Sequence, residues 1–331
     1  MVQRPPNIDT NTPRVLLLIC LLDGEAYDLF YLNINHSLPN GQNGNTQGIT
    51  AHYSLPLGYW LLSVTGSGYG YRQTVNKDTP NSYRYRGTNR TGEWRLSRVV
   101  LRTARSKSGV YLRGWQRRSR NFLNDVEVPI QRWQMSGWEA GLTHRRFLGA
   151  STLDASISVR PGRGTYGIDD ASQKEVKYRV HQRLYVADAQ WTQPLQWGKH
   201  HLHYSAEWRG QWTDKYVAPQ DRFAIGGRYT VRGFDGESAL TGERGWLLRN
   251  DLGLDLGSRQ TAYIALDTGH VGGVSARQQV VVGHRLTGVV LGLRGGWNGL
   301  YWDVFAGAAL QQPRGFVSAY TTTGFALNAA F

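Results

Sequence analysis

The sequence predicts an all-β chain folded as a transmembrane antiparallel β-barrel, and composition, alternation and segment length are the observations behind that expectation. Forty Gly, twelve Trp and eighteen Tyr stand against eleven Pro and two Met, a balance that favours strands and turns over helices. Apolar and polar residues alternate in about fourteen segments, many of them around ten residues long, where strands of water-soluble proteins run about five or six. Ten residues suit a tilted strand that crosses a bilayer. The 331 residues would suffice for two ordinary domains or one large barrel, and the repetition favours the barrel.

Residues 1–26 come first and neither alternate nor contain a hairpin turn, so they are expected to be an atypical N-terminal segment ahead of a barrel spanning residues 27–331. The apolar run Val15 to Leu22 is far shorter than the roughly 20 residues of a membrane helix. Arg4 and Arg14 precede it and Gly24-Glu25-Ala26 follows, the order of parts in an export signal with an unusually short core. From Tyr27 onward the period is two. In "TLDASISVR", Leu153, Ala155, Ile157 and Val159 share one face, and Thr152, Asp154, Ser156, Ser158 and Arg160 the other. In "HLHYSAEWRGQ", Leu202, Tyr204, Ala206 and Trp208 oppose His201, His203, Ser205, Glu207 and Arg209.

Connectors come in two kinds. Short ones such as "LPLGYW", "FLGAST" and "RGGWNGLYW" alternate with long polar ones over 72–92 and 162–176, the asymmetry of bacterial barrels. Tyr59, Trp60, Trp133, Trp138, Trp191, Trp197, Trp212, Trp246, Trp297 and Trp302 lie near strand ends, where interfacial girdles are expected. The closing "TTTGFALNAAF" puts Phe325, Leu327 and Phe331 on one face. A final apolar-facing strand that ends on Phe is the form associated with the barrel-insertion machinery.

The formal charge of +14 suggests an anionic surface, nucleic acid or an acidic partner. Arg113, Arg117, Arg118, Arg120, Arg145, Arg160 and Arg209 fit a polar lumen or rim, because a charge at mid-depth on the lipid face costs about 2 to 4 kcal/mol. No nucleic-acid motif accompanies the charge, and no nucleic-acid partner is expected. Cys20 is alone. His200, His201 and His203 are read as a solvated turn, since strand neighbours on opposite faces cannot chelate together. Asp169 and Asp170 sit in a polar loop, and no nucleophile elbow, P-loop or zinc motif is present. Neither an enzyme nor a metal or other cofactor is expected.

The stretch "IGGRYTVRGFDGESALTGERGWLLRNDL", Ile225 to Leu252, with "YIALDTG", Tyr263 to Gly269, resembles the two-partner secretion transporters that export haemolysins, filamentous haemagglutinin-type adhesins and contact-dependent inhibition toxins. The likeness also runs through "YDLFYLNINHSLP", "SRNFLNDVEVPIQR" and "GWEAGLTHRRFLGASTLDASIS". It implies that Val231, Arg232, Gly233 and Phe234 form the tip of a long lumen-inserted loop, about residues 214–244, and that Tyr263, Asp267 and Gly269 form the strand motif that anchors it. Alternation presents Tyr263, Asp267 and Gly269 inward, and a bidentate Arg232–Asp267 bond would pin the loop. The resemblance further implies a monomer in outer-membrane lipid and lipopolysaccharide, with a cognate secreted exoprotein. General porins and barrel-assembly proteins are the competing readings. Complete members carry two POTRA domains and sixteen strands, whereas barrel-like sequence here begins at Tyr27 and gives about fourteen. The expectation is a truncated transporter without POTRA domains or a first hairpin, from a gene fragment, a frameshift or a wrong start.

Overall fold

The computed structural model describes residues 14–17, 28–36, 44–75, 83–128, 131–166, 178–277 and 283–329. The strands are β1 (Arg14–Leu17), β2 (Leu29–His36), β3 (Gly44–Leu57), β4 (Trp60–Val75), β5 (Tyr83–Arg102), β6 (Ser106–Leu123), β7 (Val126–Glu127), β8 (Trp133–Leu148) and β9 (Ser151–Tyr166). They continue as β10 (Tyr178–Trp197), β11 (His200–Trp212), β12 (Phe223–Ile225), β13 (Leu240–Gly242), β14 (Arg244–Gly257), β15 (Gln260–Gly272), β16 (Arg285–Trp297), β17 (Leu300–Gln311) and β18 (Thr321–Ala329). A four-residue helix, α1 (Val274–Arg277), follows β15.

Among the described residues, fourteen strands of eight to twenty residues join the short β1 and β7 in one sixteen-stranded sheet. Its order follows the chain, with β14 beside β11 because β12 and β13 pair only with each other. The expected antiparallel all-β architecture and number of long strands are therefore present. Within residues 1–26 the structure adds a strand that alternation did not signal: Arg14–Leu17 pairs with Leu32–Asn35 of β2. Backbone pairing needs no side-chain alternation.

Among the described residues, two-residue turns close five of the hairpins at one end of the strands, and residues 103–105 close β5–β6 with three. Ser258 and Arg259 have φ of 50° and 59°, and Asn298 and Gly299 of 45° and 81°, the twist-matched backbone of a tight hairpin. The three short connectors quoted from the sequence each hold such a turn. The long ones are shorter than expected, since β4 runs to Val75, β5 starts at Tyr83 and β9 reaches Tyr166. In these extensions Arg72 faces Arg86 and Gln73 faces Tyr85; polar residues on both faces leave no alternation to find, although the ladder continues.

The chain divides into two compact units. In the first, drawn from the described residues of 1–99, 109–141 and 160–182, buried Glu139 accepts from Tyr111 Oη at 2.7 Å, Arg113 Nη2 at 2.6 Å and Arg160 Nε at 2.9 Å. Arg113 also reaches Glu93 at 3.4 Å. Trp133 is buried on this same face of β8, two residues from buried Met135, and so leaves the expected girdle. Trp138, on the opposite face, is exposed. Arg118 and Arg120 lie on the apolar face of β6, across the strand from Arg113 and Arg117.

The second unit, from residues 100–108, 142–159 and 183–331, holds the main buried cluster: Ile225, Val231, Phe234, Leu240, Leu247, Val271, Ala276, Leu286 and Phe316. Its strands alternate as expected. Tyr263, Ala265, Asp267, Gly269 and Val271 of β15 are buried while Ile264 and Leu266 are exposed. His200, His201 and His203 all lie inside β11 and not in its turn, which is Gly198-Lys199. His203 Nε2 bonds Arg294 Nη2 at 2.5 Å.

Candidate functional site

The 31-residue connection between β11 and β14, residues 213–243, is folded rather than draped. It carries the β12–β13 pair, in which Phe223, Ala224 and Ile225 face Gly242, Thr241 and Leu240. Beyond β12 the chain turns back on itself. Thr230 Oγ1 accepts from the Gly226 N–H at 3.1 Å, and the Gly227 N–H reaches the Val231 carbonyl at 3.2 Å. Side-chain capping of this kind satisfies backbone groups that no ladder can. The turn delivers Val231-Arg232-Gly233-Phe234, all four buried, to the face of β14–β17 that carries Asp251 and Asp267.

Arg232 sits between those two carboxylates. Its Nε donates to Asp267 Oδ2 at 2.6 Å and its Nη2 to Asp267 Oδ1 at 2.8 Å. On the other side Nη1 and Nη2 donate to Asp251 Oδ1 and Oδ2 at 3.0 and 2.9 Å. The Arg232 backbone N–H adds a bond to Asp267 Oδ2 at 3.0 Å. Two forks on one guanidinium are the strong form of charge-assisted bonding. Burial works against the charged guanidinium, but the bonds to Asp267 and Asp251 outweigh it and hold its pKa above the usual arginine value. Asp267 is fully buried, with Arg249 Nε 3.8 Å from its Oδ2 as a second cation. Isolated, a carboxylate there would carry a large desolvation cost.

The floor beneath the tip is made of small residues. A Cβ on Gly288 of β16 would run into the Arg232 carbonyl oxygen, and one on Gly233 would come within 2.5 Å of the Ala308 carbonyl oxygen of β17. Gly233 also has φ of +95°, a conformation that other residues resist. Gly269 makes room in the same way: its Cβ would meet Val231 Cγ2 at 3.0 Å. Phe234 packs edge-on against Phe316 with ring centroids 5.8 Å apart. Asp235 Oδ2 accepts from the Ala319 N–H at 2.7 Å. The tip is thus held on one side by strand carboxylates and on the other by the β17–β18 connection.

Of the residues singled out in the sequence, Val231, Arg232, Gly233, Phe234, Asp267 and Gly269 meet in one place. Tyr263 does not join them; its hydroxyl donates to Asp303 Oδ1 at 2.9 Å and its ring lies against Gly292. Phe325 and Leu327 are exposed on β18, and Phe331 lies outside the described residues, as do Asp169 and Asp170. Sequence reasoning missed Asp251, Gly288 and Phe316. Asp251 lay inside the quoted stretch, at even spacing from Leu247 on the inward face of β14, and that parity was the available signal.

The chain is similar to known proteins over most of its length. Outer membrane transporter CdiB-2 of Burkholderia pseudomallei is 33% identical over 316 residues, 92% of this chain and 53% of that protein. The solved structure of CdiB from Acinetobacter baumannii is 34% identical, with a TM-score of 0.80 over 92% of this chain and 54% of that one. CdiB from Escherichia coli, at 22% identity and the same TM-score, shares the fold. The chain spans about half the length of these relatives. Residues 25–295 match the family model for haemolysin secretion/activation proteins ShlB/FhaC/HecB, and the chain belongs to that family of outer-membrane β-barrel transporters.

Proposed function

We propose that this chain is the membrane-spanning part of a two-partner secretion transporter, which exports a large haemolysin, adhesin or toxin and thereby activates it. The observation that carries the reading is Arg232 held between Asp251 and Asp267. A loop of this length, packed through its tip against strands, has the build of a plug that occupies the lumen and holds the secretion-competent conformation. Val231, Arg232, Gly233 and Phe234 are the tip; Asp267 and Gly269 are its anchor, with Tyr263 further along the same strand. Phe325, Leu327 and Phe331 are assigned to recognition by the barrel-insertion machinery. The working state is a monomer in outer-membrane lipid and lipopolysaccharide, with one cognate exoprotein as cargo.

The test is export of that exoprotein into the medium by cells that carry Arg232→Ala in an otherwise unchanged transporter. A fall of at least tenfold with undiminished transporter in the outer membrane is expected. Full export would overturn the plug reading, and passage of small solutes with no effect on the exoprotein would favour a porin.

A further inference from the structure

A feature of the first unit has no part in the loop. On β4, β5 and β6 the face opposite Glu139 and Arg113 is apolar over its middle, with Val64, Trp94 and Leu112 exposed. It changes character abruptly toward the long-connector end. Arg90, Gln116, Arg118 and Arg120 follow, all exposed. Gly68 pairs with Arg90 and Gly66 with Gly92 in the β4–β5 ladder. These glycines leave an open notch of about 450 Å³, lined by Gly66, Gly68, Arg90, Gly92, Gln116 and Arg118. Among the described residues neither Arg90 nor Arg118 makes an ion pair; Arg118 Nη2 reaches only the Gln134 amide, at 3.2 Å.

Unpaired arginines on the outer face of a membrane strand need an explanation, because at mid-depth each would cost about 2 to 4 kcal/mol. Their depth supplies it. Arg98, over the Trp60 ring at the tight-turn end of the same face of β5, marks one headgroup level, because a long cationic side chain near a strand end reaches out to the interface. Arg90 is eight residues from Arg98 along β5, about 26 Å of strand, and a tilt near 45° converts that to about 19 Å of depth, so the two outward-reaching guanidinium groups bracket an apolar band about 25 Å tall. Arg90 therefore stands at the other headgroup level. Long connectors mark the cell-exterior end of bacterial barrels, so the leaflet is the outer one. We propose that Arg90, Arg118 and Gln116 bind a phosphate of the phosphorylated glycolipid of that leaflet, lipid A, whose acyl chains descend along Val64, Trp94 and Leu112. Two guanidinium forks and an amide donor suit a phosphate oxyanion, and the notch admits it where a side chain at Gly66 or Gly92 would not. The inference rests on the sheet spanning the outer membrane.

The test uses the full chain folded in detergent, with bis-phosphorylated lipid A and its dephosphorylated form as probes and native mass spectrometry as readout. Arg90→Gln with Arg118→Gln is expected to lower lipid A retention about tenfold, the loss of roughly one charge-assisted bond. Arg98→Gln, at the tight-turn end of β5, is expected to leave it unchanged, and dephosphorylated lipid is expected not to bind. Gly92→Leu is a second route. Nothing lies within 4 Å of a Cβ there, so the leucine fills the notch, leaves both arginines in place and should lower retention by a similar factor. Equal retention by the parent and both variants overturns the proposal, as does complete displacement of lipid A by inorganic phosphate, which would mark a free-anion site. Failure of the parent chain to show heat-modifiable gel mobility in vesicles would instead strike the membrane-spanning reading, which separates the two.

Discussion

Every nitrogen of the Arg232 guanidinium donates to a carboxylate oxygen, and all four oxygens of Asp251 and Asp267 are thereby used. Arg232→Ala removes every side-chain bond that Asp251 and Asp267 make to the loop tip and leaves Asp267 with Arg249, 3.8 Å away, as its remaining cation; breaking a buried pair of this kind costs about 3 to 5 kcal/mol. The expected result is an undocked loop, measured as rapid protease cleavage within residues 213–243 of otherwise resistant protein. Arg232→Lys keeps the charge but has one nitrogen where three are used, so cleavage should be intermediate; parent-like resistance would show that charge alone suffices. Gly288→Ala tests the floor. Its methyl would meet the Arg232 carbonyl, and overpacking of about 1 to 3 kcal/mol should raise cleavage with all charges intact. Asp267 was legible in the sequence because alternation fixes which way a strand residue points. Asp251 pointed the same way, but parity does not say which inward acid a distant loop will reach, and the strand offers Arg249 as an equally plausible partner. Gly288 was illegible for the opposite reason, since what matters there is a missing side chain opposite a backbone carbonyl.

The loop, taken as an element, is stabilised from both ends of the second unit's sheet. Phe234 against Phe316 and Asp235 against Ala319 tie it to the β17–β18 connection, and Gln211 Nε2 donates to the Asp221 and Glu243 carbonyls at 2.9 and 3.1 Å near its base. Removing the ring in Phe316→Ala should cost about 3 to 5 kcal/mol where the side chain is buried. Hydrogen exchange of the 231–235 amides should then accelerate while that of β14–β16 does not; uniform acceleration would mean that Phe316 supports the sheet and not the loop. Strand number and tight turns were legible because hairpin chemistry such as Asn298-Gly299 is local. Strand extent was not, because the polar ends of β4, β5 and β9 are held by ladder bonds with no hydrophobic pattern.

For the whole molecule the prediction concerns the sheet itself. Chain recovered from outer membranes without heating should migrate faster than the boiled form and resist protease; a single slow band would show that the strands do not persist as a closed unit. The contacts of the loop carry one more consequence. Arg232 reaches a partner 35 residues later, Asp235 one 84 residues later, and Arg228 Nη1 the Phe325 carbonyl 97 residues later. Contacts so distant along the chain form late, after the cost of closing long loops has been met. Residues 213–243 can make the full set of these contacts only once the β17–β18 connection and the last strand are in place. Docking of the loop then becomes an event in time as well as in space: a tip that fits only a finished wall settles when the wall is finished, and a chain interrupted before Phe316 would keep it loose.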